Sequence, residues 1–350
     1  MSKFSYTEDH DQRYRLVIEQ LEVCAELIKS DSPNKARMAI ILLDNLADIL
    51  MLRYCDYKFS EDRFFSLYNK PKYTKEQLKK AKDNIHGKVE MIRNNAKAIL
   101  TKKDETIISV CHSYRNSAQH NDEHNPQMTA VIARVLFVTV GNLFVKIQHS
   151  GHAVYFASKA PKWLQKYSGD NKIVYRELAA QIVKQLQKGI SISLPNVKKI
   201  ILFDLQSRIE DIDEQSSELP FTEAKDLSHM LKMFEYQNSD EYKALGANVY
   251  DAKYRIESNT ITYHDGFLKS GAREQDEILR QAYIPNATYQ AYLKIKARYK
   301  SISKEKDLQS TLKAYEKFSR PLERFELLFG QALDQWWQWQ DLLSDMARGK

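Results

Sequence analysis

The run KARMAIILLDNLADILMLRYC, residues 35–55, decides the fold. Met38, Ala39, Ile40, Ile41, Leu42, Leu43, Leu46, Ile49, Leu50 and Leu52 leave almost no side of a helix polar. A helix that is apolar nearly all round belongs in the middle of a bundle. Its few polar groups, Asp44, Asn45 and Asp48, then need partners there.

Working outward, Tyr14, Val17, Ile18, Leu21, Cys24, Ala25 and Ile28 repeat at helical spacing. That helix is predicted to end at Ser30-Asp31-Ser32-Pro33. On the other side, a polar connector is expected from Asp56 to Tyr73. A third helix starts near Thr74 and runs to about Leu100, with Ile85, Val89, Ile92, Ala96 and Leu100 facing inward. The fourth opens near Lys103-Asp104 and carries Ile107, Ile108 and Cys111. A polar break from Asn121 to Gln127 separates it from a fifth helix over 128–148. That helix holds the most apolar run, Ala130 to Val145, which Arg134 and Asn142 mark as a buried core helix rather than a membrane span.

Composition agrees with long helices. The 350 residues include only 10 Gly and 8 Pro, too few for a turn-rich all-β chain. The fold class expected is all-α in the main: a helical bundle over 1–150 and a mainly helical accessory region over 151–350. The boundary is placed between His149 and Tyr167. Beyond it, 172–188, 196–212 and Glu223–Tyr236 read as helices, and alternation between Val249 and Tyr263 predicts a small β-hairpin around Ser258-Asn259. Long helices return from Pro285 to Met346, the last opening at Ser319-Arg320-Pro321.

A net charge of +7 and a pI near 9.0 permit a polyanionic partner without requiring one. Cys24, Cys55 and Cys111 have no paired metal spacing and fall in apolar stretches, so buried free thiols are expected. The polar N-terminus, Met1 to Arg15, has no secretory pattern, and the location expected is cytoplasmic.

Chemistry concentrates in Arg115-Asn116-Ser117-Ala118-Gln119-His120. A guanidinium is permanently charged and its planar fork suits phosphate oxygens. An imidazole exchanges protons near neutral pH. RNA brings its own nucleophile, the 2′-hydroxyl, so these groups form a minimal kit for cutting it without metal. His120 is placed to take that proton or to protonate the leaving 5′-oxygen, Arg115 to neutralise the phosphate, and Asn116 to hold an oxygen or orient the imidazole. On an unbroken helix, Arg115 and His120 are separated by a rise of roughly 7.5 Å and a turn of roughly 140°. Either the helix loosens there or a second chain completes the site.

The constellation resembles the HEPN superfamily (higher eukaryotes and prokaryotes nucleotide-binding), whose hallmark is Arg, a polar residue, a short spacer and His at the end of a bundle helix. The earlier helix Arg37–Asp48 resembles that family's core helix with its acidic and amide set. The resemblance covers roughly residues 10–150. It implies a metal-independent, homodimeric endoribonuclease with no cofactor, leaving a 2′,3′-cyclic phosphate and a 5′-hydroxyl. It also implies a toxin or antiphage role, with an antitoxin or other regulatory partner and no membrane. One subgroup has a Tyr two residues after the histidine; Asp122 stands there in this chain, so modification at that place is not expected.

Three other features compete. His120-Asn121-Asp122-Glu123-His124 fits an inverted zincin pattern, but the run is wholly polar and soon meets Pro126. Lys294 to Lys306, with Tyr292 and Tyr299 interleaved, reads either as an RNA-tracking stripe or as a solvated helix face. Trp336, Trp337 and Trp339 offer stacking surfaces or core. A binding module without turnover, its motif only stabilising an interface, is the alternative function.

Overall fold

The computed structural model describes residues 6–67, 70–120, 125–150, 156–157, 160–169, 173–217 and 286–348. Helix α1 (Tyr6–Lys29) turns through Asp31, whose φ of 56° is tolerated by its short polar side chain, into α2 (Pro33–Phe65). Proline fits the first helical position because no backbone donor is needed there. Helix α2 is the axis of the bundle: it packs against α1, α3 (Lys75–Asp83), α4 (Ile85–Asn95), α5 (Lys102–His120) and α6 (Pro126–Ser150). Ala39, Ile40, Leu43, Leu46, Ala47, Leu50 and Met51 are all buried along it. The fold is all-α; its described strands are β1 (Phe156–Ala157) and β2 (Ile173–Val174), a two-residue antiparallel pair.

Two boundaries within the bundle differ from expectation. Helix α2 continues through residues 56–65 instead of giving way to a connector. Phe59 packs edge-on against Tyr73 at 5.2 Å, and the Asp62 carboxylate accepts from the backbone N–H groups of Lys72 and Tyr73. The third predicted helix is two, because Asn84 is extended and its side chain accepts from Gly87 N–H at 2.7 Å, capping α4. Gly87 presses against α3: a Cβ there would lie 2.2 Å from the Lys80 carbonyl oxygen. The start of α3 is a capping box between Thr74 and Gln77.

Helices α5 and α6 carry the site and its support. Asn125 caps α6 by accepting from Gln127 and Met128 N–H. Tyr114 and Thr129 share a buried hydrogen bond of 2.8 Å, and Lys146 reaches back to Asp104 at 2.7 Å. Helix α6 is long and apolar enough to cross a membrane, yet 72% of its apolar window is buried in the bundle, as Val131, Leu136, Phe137, Val140 and Phe144 illustrate. The three cysteines are buried thiols outside any disulfide, and burial pushes the Cys24 and Cys55 thiols up to about 12.

The chain divides into two compact units, Met1–Ile200 with Lys306–Lys313, and Ile201–Glu305 with Ala314–Lys350. The first unit thus runs past the expected boundary near 150. After the short α7 (Gln165–Ser168), α8 (Tyr175–Leu186) packs on α6 and α1, and Tyr14 donates a hydrogen bond to the Tyr175 carbonyl.

The second unit takes in most of α9 (Leu194–Ser217), α10 (Asn286–Arg298) and most of α11 (Leu308–Ala347). Tyr292, Phe325 and Phe329 stack in its core, and Arg208 makes a paired contact to Glu326. Helix α11 does not open at Pro321. It opens at Leu308, where Asp307 accepts from Ser310 N–H through its side chain and from Thr311 N–H through its carbonyl, so Pro321 lies inside the helix. The expected hairpin at 249–263 and helix at 223–236 lie outside the described residues.

Candidate active site

Helix α5 is unbroken from Lys102 to His120. It does not loosen between Arg115 and His120, so one chain does not bring those two positions onto one face. Arg115 instead faces α2. Its Nε and Nη2 donate to Asp44 Oδ2 at 3.0 and 2.7 Å. The Asp44 side chain is 3% exposed and that of Arg115 22%. The polar residue that the apolar helix obliged to find a partner has found the motif arginine.

Asp44 has a second partner that the sequence reading missed. His112 Nδ1 stands 3.0 and 3.1 Å from the two Asp44 oxygens. Burial alone raises the carboxyl's pKa, but hydrogen bonds from His112 and Arg115, with their charge, outweigh it and hold Asp44 below the usual carboxylate range. An ionised carboxylate only accepts, so Nδ1 of His112 carries the hydrogen. In the neutral ring Nε2 is then the bare nitrogen. The Asn116 amide Nδ2 lies 3.4 Å from it, a contact at the long end of the hydrogen-bond range.

His112, Asn116 and His120 are spaced i, i+4 and i+8 on this continuous helix, so they share one face that drifts by about 80° over its length. The backbone of His120 is helical; its side chain lies outside the described residues. His86, from α4, meets His112 edge-on with ring centroids 6.5 Å apart. Beside this set, buried Lys88 of α4 pairs with half-exposed Asp48 of α2 at 3.0 Å. The three polar positions of the core run therefore divide: Asp44 and Asp48 are partnered by α5 and α4, and Asn45 faces outward and needs none.

Chemically, the arrangement offers an imidazole whose outer nitrogen is bare when the ring is neutral, a carboxylate fixing that tautomer, a guanidinium pinned at its side and an amide above. Such a set can move a proton and neutralise an anion. A signal for His112 was available in its spacing, three residues before Arg115 and four before Asn116, both neighbours on a helix.

The competing features fare differently. Positions 121–124 of the zincin pattern lie outside the described residues, and no group of three or more His, Cys, Asp or Glu able to hold a metal occurs among the described ones. Tyr292 and Tyr299 are buried, which removes their rings as stacking platforms. Trp337 is 47% exposed, and the side chains of Trp336 and Trp339 lie outside the described residues. No protein-family model matches the chain, and neither the curated proteins nor the solved structures contain a significant match.

Proposed function

We propose that this chain is a metal-independent endoribonuclease acting as a homodimer in the cytoplasm, a toxin or antiphage effector of the HEPN type. The observation that carries the reading is the placement of Arg115 and Asn116 on the last turns of a bundle helix, with the guanidinium held by Asp44 of the central helix. A pinned guanidinium is pre-oriented for an anion, and preorganised charge is worth most where phosphate charge builds in the transition state. The 2′-oxygen attacks phosphorus, the P–O5′ bond breaks, and 2′,3′-cyclic phosphate and 5′-hydroxyl ends result. Arg115 stabilises the five-coordinate phosphate, His120 exchanges protons and Asn116 orients. No cofactor takes part. An antitoxin or other regulator fits such a role.

The test is purified protein with total RNA and a chelator, beside His120→Ala and Arg115→Ala. Cleavage that survives chelation and is lost in both variants is expected; activity retained in either variant removes that residue from the mechanism. A second reading, a binding module without turnover, is favoured by one observation: two of the Arg115 donors are already taken by Asp44. RNA retention with no new 5′-hydroxyl ends would decide for it.

A further inference from the structure

We propose that His112 is the general base of this site, and that the acid is the partner's His120. This rests on the ribonuclease reading and divides between two imidazoles the roles that reading leaves with one. In-line transfer needs a proton taken from the 2′-hydroxyl and another given to the 5′-oxygen. One imidazole in one protonation state does not do both at once. The structure supplies a second ring suited to the first task. Its Nδ1 is fixed by a buried carboxylate at 3.0 Å, its Nε2 points away from that carboxylate, and its side chain is 23% exposed. A carboxylate behind an imidazole fixes its tautomer and stabilises the imidazolium that forms when the ring takes a proton. Arg115, bound to the same Asp44 oxygen, stands beside that ring.

The two histidines of one chain are not a pair. Positions 112 and 120 are separated by roughly 12 Å of rise along one unbroken helix. Two α5 helices related by a twofold near Asn116 oppose position 112 of each to position 120 of the other. In that arrangement the 2′-hydroxyl proton passes to His112 Nε2, the 2′-oxygen bonds to phosphorus, the P–O5′ bond breaks, and the 5′-oxygen takes its proton from the imidazolium of the partner's His120. Asp44 on α2, His86 on α4 and, three residues further along its own helix, Arg115 are charged or titratable groups set against His112.

His112→Asn is the discriminating variant, because the asparagine amide occupies the place of Nδ1 and keeps a donor for Asp44 while deleting Nε2. It is expected to stay folded and dimeric and to lose about 10²–10⁴-fold in RNA cleavage. The wild-type rate is expected to be bell-shaped in pH, and the residual rate of His112→Asn to lack the rising acid limb. His112→Asn and His120→Ala chains, co-expressed with different tags and purified through both, form dimers with one intact composite site. These are expected to regain about half the wild-type rate, since one of two twofold-related sites is whole. Cleavage by His112→Asn within about tenfold of wild type overturns the proposal, being well short of what a lost general base costs. So does a doubly tagged dimer that stays inactive, or the absence of any such dimer. If wild-type protein cuts no RNA at all, the ribonuclease reading fails first and takes this one with it.

Discussion

Asp44 is a buried carboxylate that two side chains from another helix hold ionised, so its removal leaves more behind than it takes away. Breaking a buried pair from one side strands the other charge and costs about 3–5 kcal/mol. Asp44→Asn is expected to lower stability in urea unfolding at pH 7 by an amount near that range, with the lower end favoured because Arg115 keeps some solvent contact. The sign with pH follows from the depressed carboxyl. Its folded pKa lies below the ordinary 3.8, so its stabilisation is complete above that value and is lost as pH falls through the folded one. Wild type and Asp44→Asn should therefore converge in stability in strong acid; curves that stay parallel from pH 6 to pH 2 would exclude Asp44 as the ionised member. Lys88 gives the mirror case. Its side chain is 4% exposed against 39% for Asp48. Asp48→Ala, which abandons a buried ammonium, should destabilise more than Lys88→Met, which replaces it with a well-packed apolar chain. That positions 115 and 116 lie near the end of one bundle helix was legible because spacing on one helix is local information. The pairing with His112 was not, because Asp44 and His112 are 68 residues apart and only folding brings them together. The apolar run around Asp44 announced that a partner existed without naming it.

At the scale of elements, what was legible was the set of starts made by short-range capping. Thr74 with Gln77 is a signal contained within one turn, and Pro33, expected to close the first helix, takes the first position of α2. The break at Asn84 is short-range too, but Lys82-Asp83-Asn84 also reads as a solvated helix face, and the apolar period runs on across it. Gly87 decides the matter through a contact in three dimensions. In an ordinary helix interior Gly→Ala stabilises by about 0.8–1 kcal/mol. Here the added methyl meets the Lys80 carbonyl oxygen at 2.2 Å and the Ala81 nitrogen at 2.9 Å, both backbone atoms that no rotamer change moves aside. Gly87→Ala should therefore destabilise, by about 1–3 kcal/mol as overpacking does elsewhere. Thermal melting followed by circular dichroism reads the sign directly, and a raised midpoint would show that α3 and α4 are not held this close. The same contrast explains α11. Proline is a good helix opener, so Ser319-Arg320-Pro321 invited a start there. The Asp307 cap had already begun the helix at Leu308, and the chain tolerates an interior proline at the loss of one backbone hydrogen bond.

For the whole molecule, the expected division near residue 150 followed polarity along the chain, whereas the two units follow packing. Apolar faces on α8 and α6 that look independent in sequence close on each other, so the first unit extends to Ile200. Charge shows the same difference between chain and fold. The net +7 and the basic stretch 294–306 permit a surface for a polyanion without requiring one. Yet Lys296 is paired with Asp213 at 2.7 Å, Lys300 lies over the Tyr299 ring, and the two interleaved tyrosines are core. On the proposed ribonuclease reading, the phosphates contacted are the few near Arg115. For single strands, log affinity falls with log salt at about 0.7 per phosphate neutralised, so two or three contacts predict a loss of about tenfold between 50 and 200 mM salt. Filter binding or fluorescence anisotropy with an unstructured RNA, across that range, measures the slope. Replacing Lys294, Lys296 and Lys300 by glutamine should leave the slope unchanged, whereas Arg115→Gln should reduce it by about 0.7. A fall of a thousandfold that the triple substitution abolishes would move the binding surface to the second unit and leave Arg115 as a structural partner of Asp44.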